Sequence, residues 1–225
     1  MPFRYPVALE LSGRRCVVIG GGVEAERKAR ALLEAEADVV VIAADVTDGL
    51  CDLIRRGELE HVPRRYRRGD LARAFLVIAA DPDRAVRAAV FAEAEAGRVL
   101  CNAVDDVEHC HFAVPSIVRR GDLLLGISTG GRAPALAKRL RRRLAADLGW
   151  EWEALVDVLG RVRAETRPDR TVDFARWAER WRRLLEREEE LLDLLREGRV
   201  DEVRAWAYAA LKPATTSAQV SGSAR

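Results

Sequence analysis

Gly20, Gly22 and Ala25 stand at the spacing G-x-G-x-x-A, directly after the apolar run CVVI (16–19) and at the head of a stretch rich in Ala, Glu and Arg. Such a turn can hold a phosphate. The first glycine permits a tight bend, the second lets the backbone approach a pyrophosphate, and Ala25 is small enough for close helix–strand packing. The helix that opens here offers unpaired N–H groups and the positive end of its dipole to an anion. Asp45, twenty positions after Ala25, stands where a carboxylate accepts a hydrogen bond from a ribose 2′-hydroxyl, which favours NAD over NADP. Asp45 equally fits the N-cap of a following helix. A glycine turn that binds nothing is the competing reading. The strand before it, the helix after it and the acidic residue ending the next apolar run favour the dinucleotide.

A second polar cluster, CNAVDDVEHCHF (101–112), follows a later apolar run. In open parallel sheets, ligands bind outside the carboxyl ends of the strands. Asn102, Asp105 and Asp106 are therefore expected near the same edge as the glycine turn, where one carboxylate can serve as a general base. The plain alternative is that Asp105 or Asp106 caps a turn. His109, Cys110 and His111 are residue types that bind zinc, iron or cobalt. With His61 as the only other histidine, a closed structural zinc site is not expected, and polar loop residues are the favoured reading. A third stretch, GISTGGRAPALAKRL (126–140), sets Ser128, Thr129, Gly130 and Gly131 at a helix start, with Arg132, Lys138, Arg139 and Arg141 to Arg143 close behind. Hydroxyls, N–H groups and cations together suit carboxylates or phosphates, although most of KRLRRR reads as a solvated helix face.

The elements that must position these residues follow from periodicity. Strand-length apolar runs at 16–20, 38–44, 74–80 and 98–104, with a small strand at 58–62, alternate with helical patterns at 24–37, 46–56 and 83–97. Strands alternating with helices predict a parallel sheet with right-handed crossovers. The stretch 111–129 has two apolar runs around RRGD and reads as a hairpin, and 133–149 as a helix. From Trp150 onward no strand is visible. Three helices are expected there, the middle one spanning VDFARWAERWRRLLEREEELLDLLREG (172–198). The fold class is thus α/β: a Rossmann-like parallel sheet domain, a small β-hairpin region and a helical domain. The expected divisions are 1–112, 113–147 and 148–212, followed by a small-residue, polar tail at 213–225 expected to be disordered.

Composition bounds the function. The 225 residues are 49% hydrophobic, enough for a real core, and carry a net charge of +2, which argues against a nucleic-acid partner. No run is apolar enough to span a membrane, and MPFRYPVALE lacks the apolar stretch of a signal peptide. Cys16, Cys51, Cys101 and Cys110 show no CxxC spacing and predict reduced thiols in a cytoplasmic protein.

Four segments occur in a telling order: YPVALELSGRRCVVIGGGVEAERKARALLEA (5–35), FLVIAA (75–80), CNAVDD (101–106) and FAVPSIVRRGDLLLGISTGGRAPALA (112–137). From about residue 3 to 148 the chain resembles the precorrin-2 dehydrogenase / sirohydrochlorin ferrochelatase family, which includes the amino-terminal module of siroheme synthase. The resemblance implies NAD-dependent oxidation of precorrin-2, a tetrapyrrole with eight carboxylates, to sirohydrochlorin in siroheme (porphyrin-type) biosynthesis. In some members Fe2+ insertion follows, a lyase step, and Co2+ is the other metal considered. It implies a homodimer that exchanges contacts through the hairpin and helices. The family's cofactor positions fall on Gly22, Val23 and Glu24 and on Ala44 and Asp45, and its essential aspartate on Asp105, a base that also touches the metal. Its hydroxyl-Gly-Gly turn falls on Ser128 and Thr129. The chain departs from the family at AADVTD (43–48), where a proline-containing turn is common, and at His109 and His111, where apolar or small residues are common; His111 is therefore carried as a candidate metal contact. Two further readings compete: an NAD-sensing module with a helical output domain, and an Arg-rich helical oligomerisation protein with a vestigial sheet. CNAVDD and STGG speak for the enzyme, since a sensor needs neither a base nor a polycarboxylate pocket.

Overall fold

β-branched and apolar runs form five parallel strands: β1 (Arg15–Ile19), β2 (Asp38–Ile42), β3 (Glu60–Val62), β4 (Leu76–Ala79) and β5 (Leu100–Ala103). They are joined by helices α1 (Val23–Leu33), α2 (Asp48–Arg55) and α3 (Arg84–Gly97). The strand order is β3-β2-β1-β4-β5, with Val17 beside Val40 on one flank and Val77 on the other. Along β1, Cys16 and Val18 join the core under α1 and α2, while Val17 and Ile19 join the core under α3. Both faces are covered, so the strands read as unbroken apolar runs rather than as alternating ones. The order reverses between β1 and β4, and the crevice at such a reversal is where α/β sheets take ligands.

This computed structural model describes residues 5–167 and 174–212. One compact unit ends at Val114 and a second begins at Pro115. In the second unit, β6 (Ser116–Arg120) and β7 (Leu123–Ile127) form an antiparallel hairpin. Two strands alone are marginal in water, and this pair packs on α4 (Pro134–Asp147) and on α5 (Glu151–Thr166). Arg120 of β6 donates to the carbonyl oxygens of Ala145 (2.7 Å) and Leu148 (2.8 Å), satisfying acceptors that the last turn of α4 leaves open. The 213–225 tail lies outside the described residues. Among those described, no helix is long and apolar enough to cross a membrane.

The helical region corrects one expectation. The single helix expected over 172–198 is two in its described part, α6 (Phe174–Leu185) and α7 (Glu188–Arg196), followed by α8 (Val200–Leu211). A straight helix from Phe174 to Arg196 would run about 34 Å, against about 24 Å for the sixteen residues of α5. It would carry Leu191, Leu192 and Leu195 beyond the partner that buries them. The turn at Glu186 and Arg187 folds α7 back, and these leucines become 0–1% exposed in one core with Leu155, Val162, Leu184 and Val203. Leu192→Ala is expected to destabilise this unit by about 3 kcal/mol, measured as a lower denaturant midpoint of the helical unit with the parallel-sheet unit unaffected.

Candidate active site

Every strand of the parallel sheet delivers its carboxyl end to one edge, and the sequence candidates of the first unit gather there. β1 ends in Gly20, whose φ of +114° suits glycine. A Cβ on Gly20 would lie 2.7 Å from the Ala80 carbonyl oxygen at the end of β4. Gly21, which the motif leaves unspecified, is the tightest of the three: a Cβ there would sit 1.9 Å from the Asp45 carbonyl oxygen. Its own carbonyl accepts from Thr47 N–H at 3.0 Å. Gly22, by contrast, has nothing within 4 Å of the place a Cβ would take. Two glycines are wedged against neighbouring strand ends, and the third faces open space, as a backbone must if a phosphate is to reach it.

Gly22 is also the N-cap of α1 and supplies no capping side chain. Val23, the first helical residue, is 74% exposed, an apolar surface that a bound ligand would cover. The residues present therefore fit a dinucleotide, which Gly20, Gly22, Val23 and Glu24 would meet at the turn and Ala44 and Asp45 at the end of β2. Asp45 is exposed, and the capping alternative for it fails, because Thr47 caps α2 by accepting from Leu50 N–H. Thr47 also donates to Glu26 Oε2 at 2.6 Å. That bond, followed by those from Arg30, lowers the Glu26 carboxyl pKa and ties α1 to the loop that carries Asp45.

The second cluster sits at the end of β5. Asp105 is exposed and holds a left-handed backbone, φ +54°, an uncommon state for a residue with a side chain and one that concentrates at functional turns. The turn is built from behind. Buried Asn102 donates to the Phe112 carbonyl at 2.9 Å. Cys110 Sγ accepts from Ala103 N–H at 3.1 Å and turns its thiol toward the Ala103 and Asp106 carbonyls. Burial raises the Cys110 pKa, so the sulfur acts here as a structural clamp. Asn102 thus supports the loop from within the strand.

Asp106 is buried, 7% exposed, and surrounded by basic side chains. His109 Nδ1 lies 2.9 Å from its Oδ2, and the Arg84 and Arg87 Nε atoms lie at 3.7 and 3.6 Å. His109 Nδ1, Arg87 Nε and Asp106 Oδ2 are buried without well-aligned hydrogen-bond partners, although His109 Nδ1 stands at hydrogen-bond distance from Asp106 Oδ2. His109 above all, and then Arg84 and Arg87, lower the Asp106 pKa against the opposing effect of burial. His111 accepts from Cys101 N–H through Nδ1 at 3.0 Å and meets Glu95 through Nε2. That pattern puts the proton on Nε2 and leaves no ring lone pair for a metal. Both imidazoles pack on Phe91 of α3, with ring centroids 5.4 and 4.9 Å away. Among the described residues no group of three or more His, Cys, Asp or Glu is arranged to hold a metal ion.

In the second unit, Ser128 Oγ accepts from Gly130 N–H at 3.2 Å and Thr129 Oγ1 from Ala133 N–H at 3.1 Å. Gly130 and Gly131 both take positive φ. The hydroxyl oxygens shape the turn ahead of α4, and their protons remain available to an anion.

Residues 7–116 match a family model described as "Putative NAD(P)-binding", and residues 120–146 one described as "Sirohaem biosynthesis protein central". The chain is 44% identical over 140 residues to siroheme synthase of Chromobacterium violaceum, covering 62% of this chain and 30% of that protein. It is 38% identical over 184 residues to siroheme synthase 2 of Yersinia enterocolitica, covering 80% and 38%. Over these segments the chain is a homologue of siroheme synthases. It spans about a third of the length of these curated relatives. The solved structure of SirC, precorrin-2 dehydrogenase, shares the fold, with a TM-score of 0.65 and 23% identity over 92% of this chain and 98% of that one.

Two features of this chain are not visible in the sequence: the tight seat of Gly21 and the Cys110 clamp. The G-x-G-x-x-A pattern marks only alternate glycines, and nothing local in the sequence shows that the Asp45 backbone will press on Gly21. Gly21→Ala is expected to push the 43–47 loop away and weaken NAD+ binding by about tenfold or more, read by calorimetric titration. For Asp106, the ionised form adds stability that is fully present above the ordinary carboxyl value of 3.8 and is lost as pH falls through the lower folded value. Asp106→Asn should therefore lower the melting temperature at pH 7, and its deficit against wild type should narrow below about pH 4.

Proposed function

We propose that this chain is an NAD-dependent dehydrogenase that oxidises precorrin-2 to sirohydrochlorin. The observation that carries the reading is the pairing, on one sheet edge, of an uncapped glycine turn with an exposed Asp105 held in a left-handed turn. The family-model match over 120–146 and the similarity to siroheme synthases support the substrate class. The oxidation removes two hydrogens from the macrocycle, one as hydride and one as a proton. Bound NAD+ would accept the hydride. Asp105 takes the proton onto its carboxylate; its exposure leaves it accessible, and the Asn102 and Cys110 contacts keep its turn in place. Asp45, free of capping duty, selects a ribose that carries a 2′-hydroxyl, hence NAD rather than NADP. Ser128, Thr129, Gly130 and Gly131 supply hydroxyl and N–H donors suited to carboxylates of the macrocycle.

Two finer assignments belong to the same reading. Insertion of Fe2+ or Co2+ would use Asp105 as a transient contact, without His111, whose ring is committed to Cys101 and Glu95. A second copy of the chain would cover the hairpin and α4, where Leu124, Leu136 and Leu140 are left exposed. The protein is read as a cytoplasmic enzyme.

The test is anaerobic incubation with enzymatically generated precorrin-2 and NAD+, followed by visible spectroscopy. NAD+-dependent formation of sirohydrochlorin is expected, and Asp105→Ala should lower its rate by about 10²- to 10⁴-fold while NAD+ affinity is retained. NAD+ binding without any oxidation would favour the sensor reading instead.

A further inference from the structure

The carbonyl oxygen of Ala43 stands where β2 ends and the loop carrying Asp45 begins. The sheet ladder leaves this acceptor open. β2 and β3 pair in parallel, with Ile42 beside Val62, and Ala43 N–H still donates to the Val62 carbonyl at 3.3 Å. The next bond of a parallel ladder would run from Arg64 N–H to the Ala43 oxygen. It is not made. Pro63 ends the strand and has no N–H of its own, and Arg64 N–H turns back to the Val62 carbonyl at 2.8 Å. The half-buried His61 takes its place, with Nε2 3.0 Å from the Ala43 oxygen. A carbonyl oxygen only accepts, so Nε2 carries the proton. The far end of the loop is held as well: Thr47 N–H donates to the Gly21 carbonyl and the Thr47 hydroxyl to Glu26. Ala44, Asp45 and Val46 lie between these two anchors, and Ala44 and Asp45 are exposed.

We propose that His61 is a positioning residue for the dinucleotide: by holding the Ala43 carbonyl it sets the direction in which the Asp45 carboxylate meets the ribose. This rests on the reading of Asp45 as the ribose contact. A carboxylate separates a 2′-hydroxyl from a 2′-phosphate only if it is held where that substituent arrives, and precision of this kind comes from hydrogen bonds behind the contact residue. The peptide between Ala43 and Ala44 is the hinge through which Asp45 would swing. Its oxygen is tied by the imidazole, two residues before Asp45 itself. The Asp45 backbone on the other side rests against Gly21, with no room for a Cβ between them. His61 therefore acts through the backbone and needs no contact with the ligand.

The experiment compares wild type, His61→Gln and His61→Asn, each also combined with Asp45→Ala, by calorimetric titration with NAD+ and with NADP+ and by thermal melting. Glutamine carries an amide N–H at about the reach of Nε2, and asparagine is one methylene too short. His61→Asn is expected to weaken NAD+ binding by about five- to tenfold and to narrow the preference for NAD+ over NADP+. His61→Gln should keep both near wild type. With Asp45→Ala already present, His61→Asn should cost little more, because two residues acting through one contact are not additive. Unchanged NAD+ affinity in His61→Asn would overturn the positioning role, even if the melting temperature fell. So would a loss in His61→Gln as large as in His61→Asn, or an equal loss with and without Asp45, which would make His61 a prop of the fold alone. Wild-type protein that binds neither dinucleotide, or binds NAD+ no better than Asp45→Ala does, would instead overturn the reading of Asp45 as the ribose contact, and the role of His61 with it.

Discussion

The backbone at Gly20 and Gly21 is squeezed between two neighbouring strand ends, with no room for a side chain against Ala80 on one side or Asp45 on the other. This contact fixes three strand ends relative to one another at the reversal between β1 and β4. It aims the first turn of α1 at the crevice and pins the loop that presents Asp45. The hydrogen bonds from Thr47 to Gly21 and to Glu26 complete the brace from the far side. The cofactor side of the site is rigid because close backbone packing, with no flexible side chain in between, sets its dimensions.

The substrate side is built by a different means. The turn after β5 has no glycine, and Asp105 takes the left-handed conformation itself. Asn102, Cys110 and the Asp106 charge cluster are what hold that turn against α3. Residues that resemble a metal site in sequence therefore do structural work. The imidazoles of His109 and His111 pack on Phe91, one edge-on and one tilted, and Cys110 clips the loop to Ala103. The polarity of the loop serves to present one exposed carboxylate.

These two halves of the site differ in how visible they are in sequence. The sheet, its helices and the glycine turn can be read directly, because buried parallel strands are continuous apolar runs and a phosphate turn demands glycine at fixed spacing. Asp45 and Asp105 follow from the rule that strand carboxyl ends share an edge. The role of Gly21 cannot be read, since its constraint comes from a residue more than twenty positions away. The break at Glu186 and Arg187 is hidden for another reason. Apolar positions at 177, 181, 184, 191 and 195 keep one helical phase straight through it, so periodicity reports a single helix. Only the length of the helix it must pack against forces the chain to turn.

The glycine turn and the Asp105 turn are two ways of holding a strand end. The first leaves no room for a side chain and fixes the backbone by close packing against Ala80 and Asp45. The second keeps its side chains and braces them through Asn102 and Cys110, whose bonds to Phe112 and Ala103 close the loop. Close packing admits no side chain at Gly20 or Gly21 without moving a neighbouring strand end, whereas the braced loop can change at its exposed positions as long as the polar partners behind it stay satisfied.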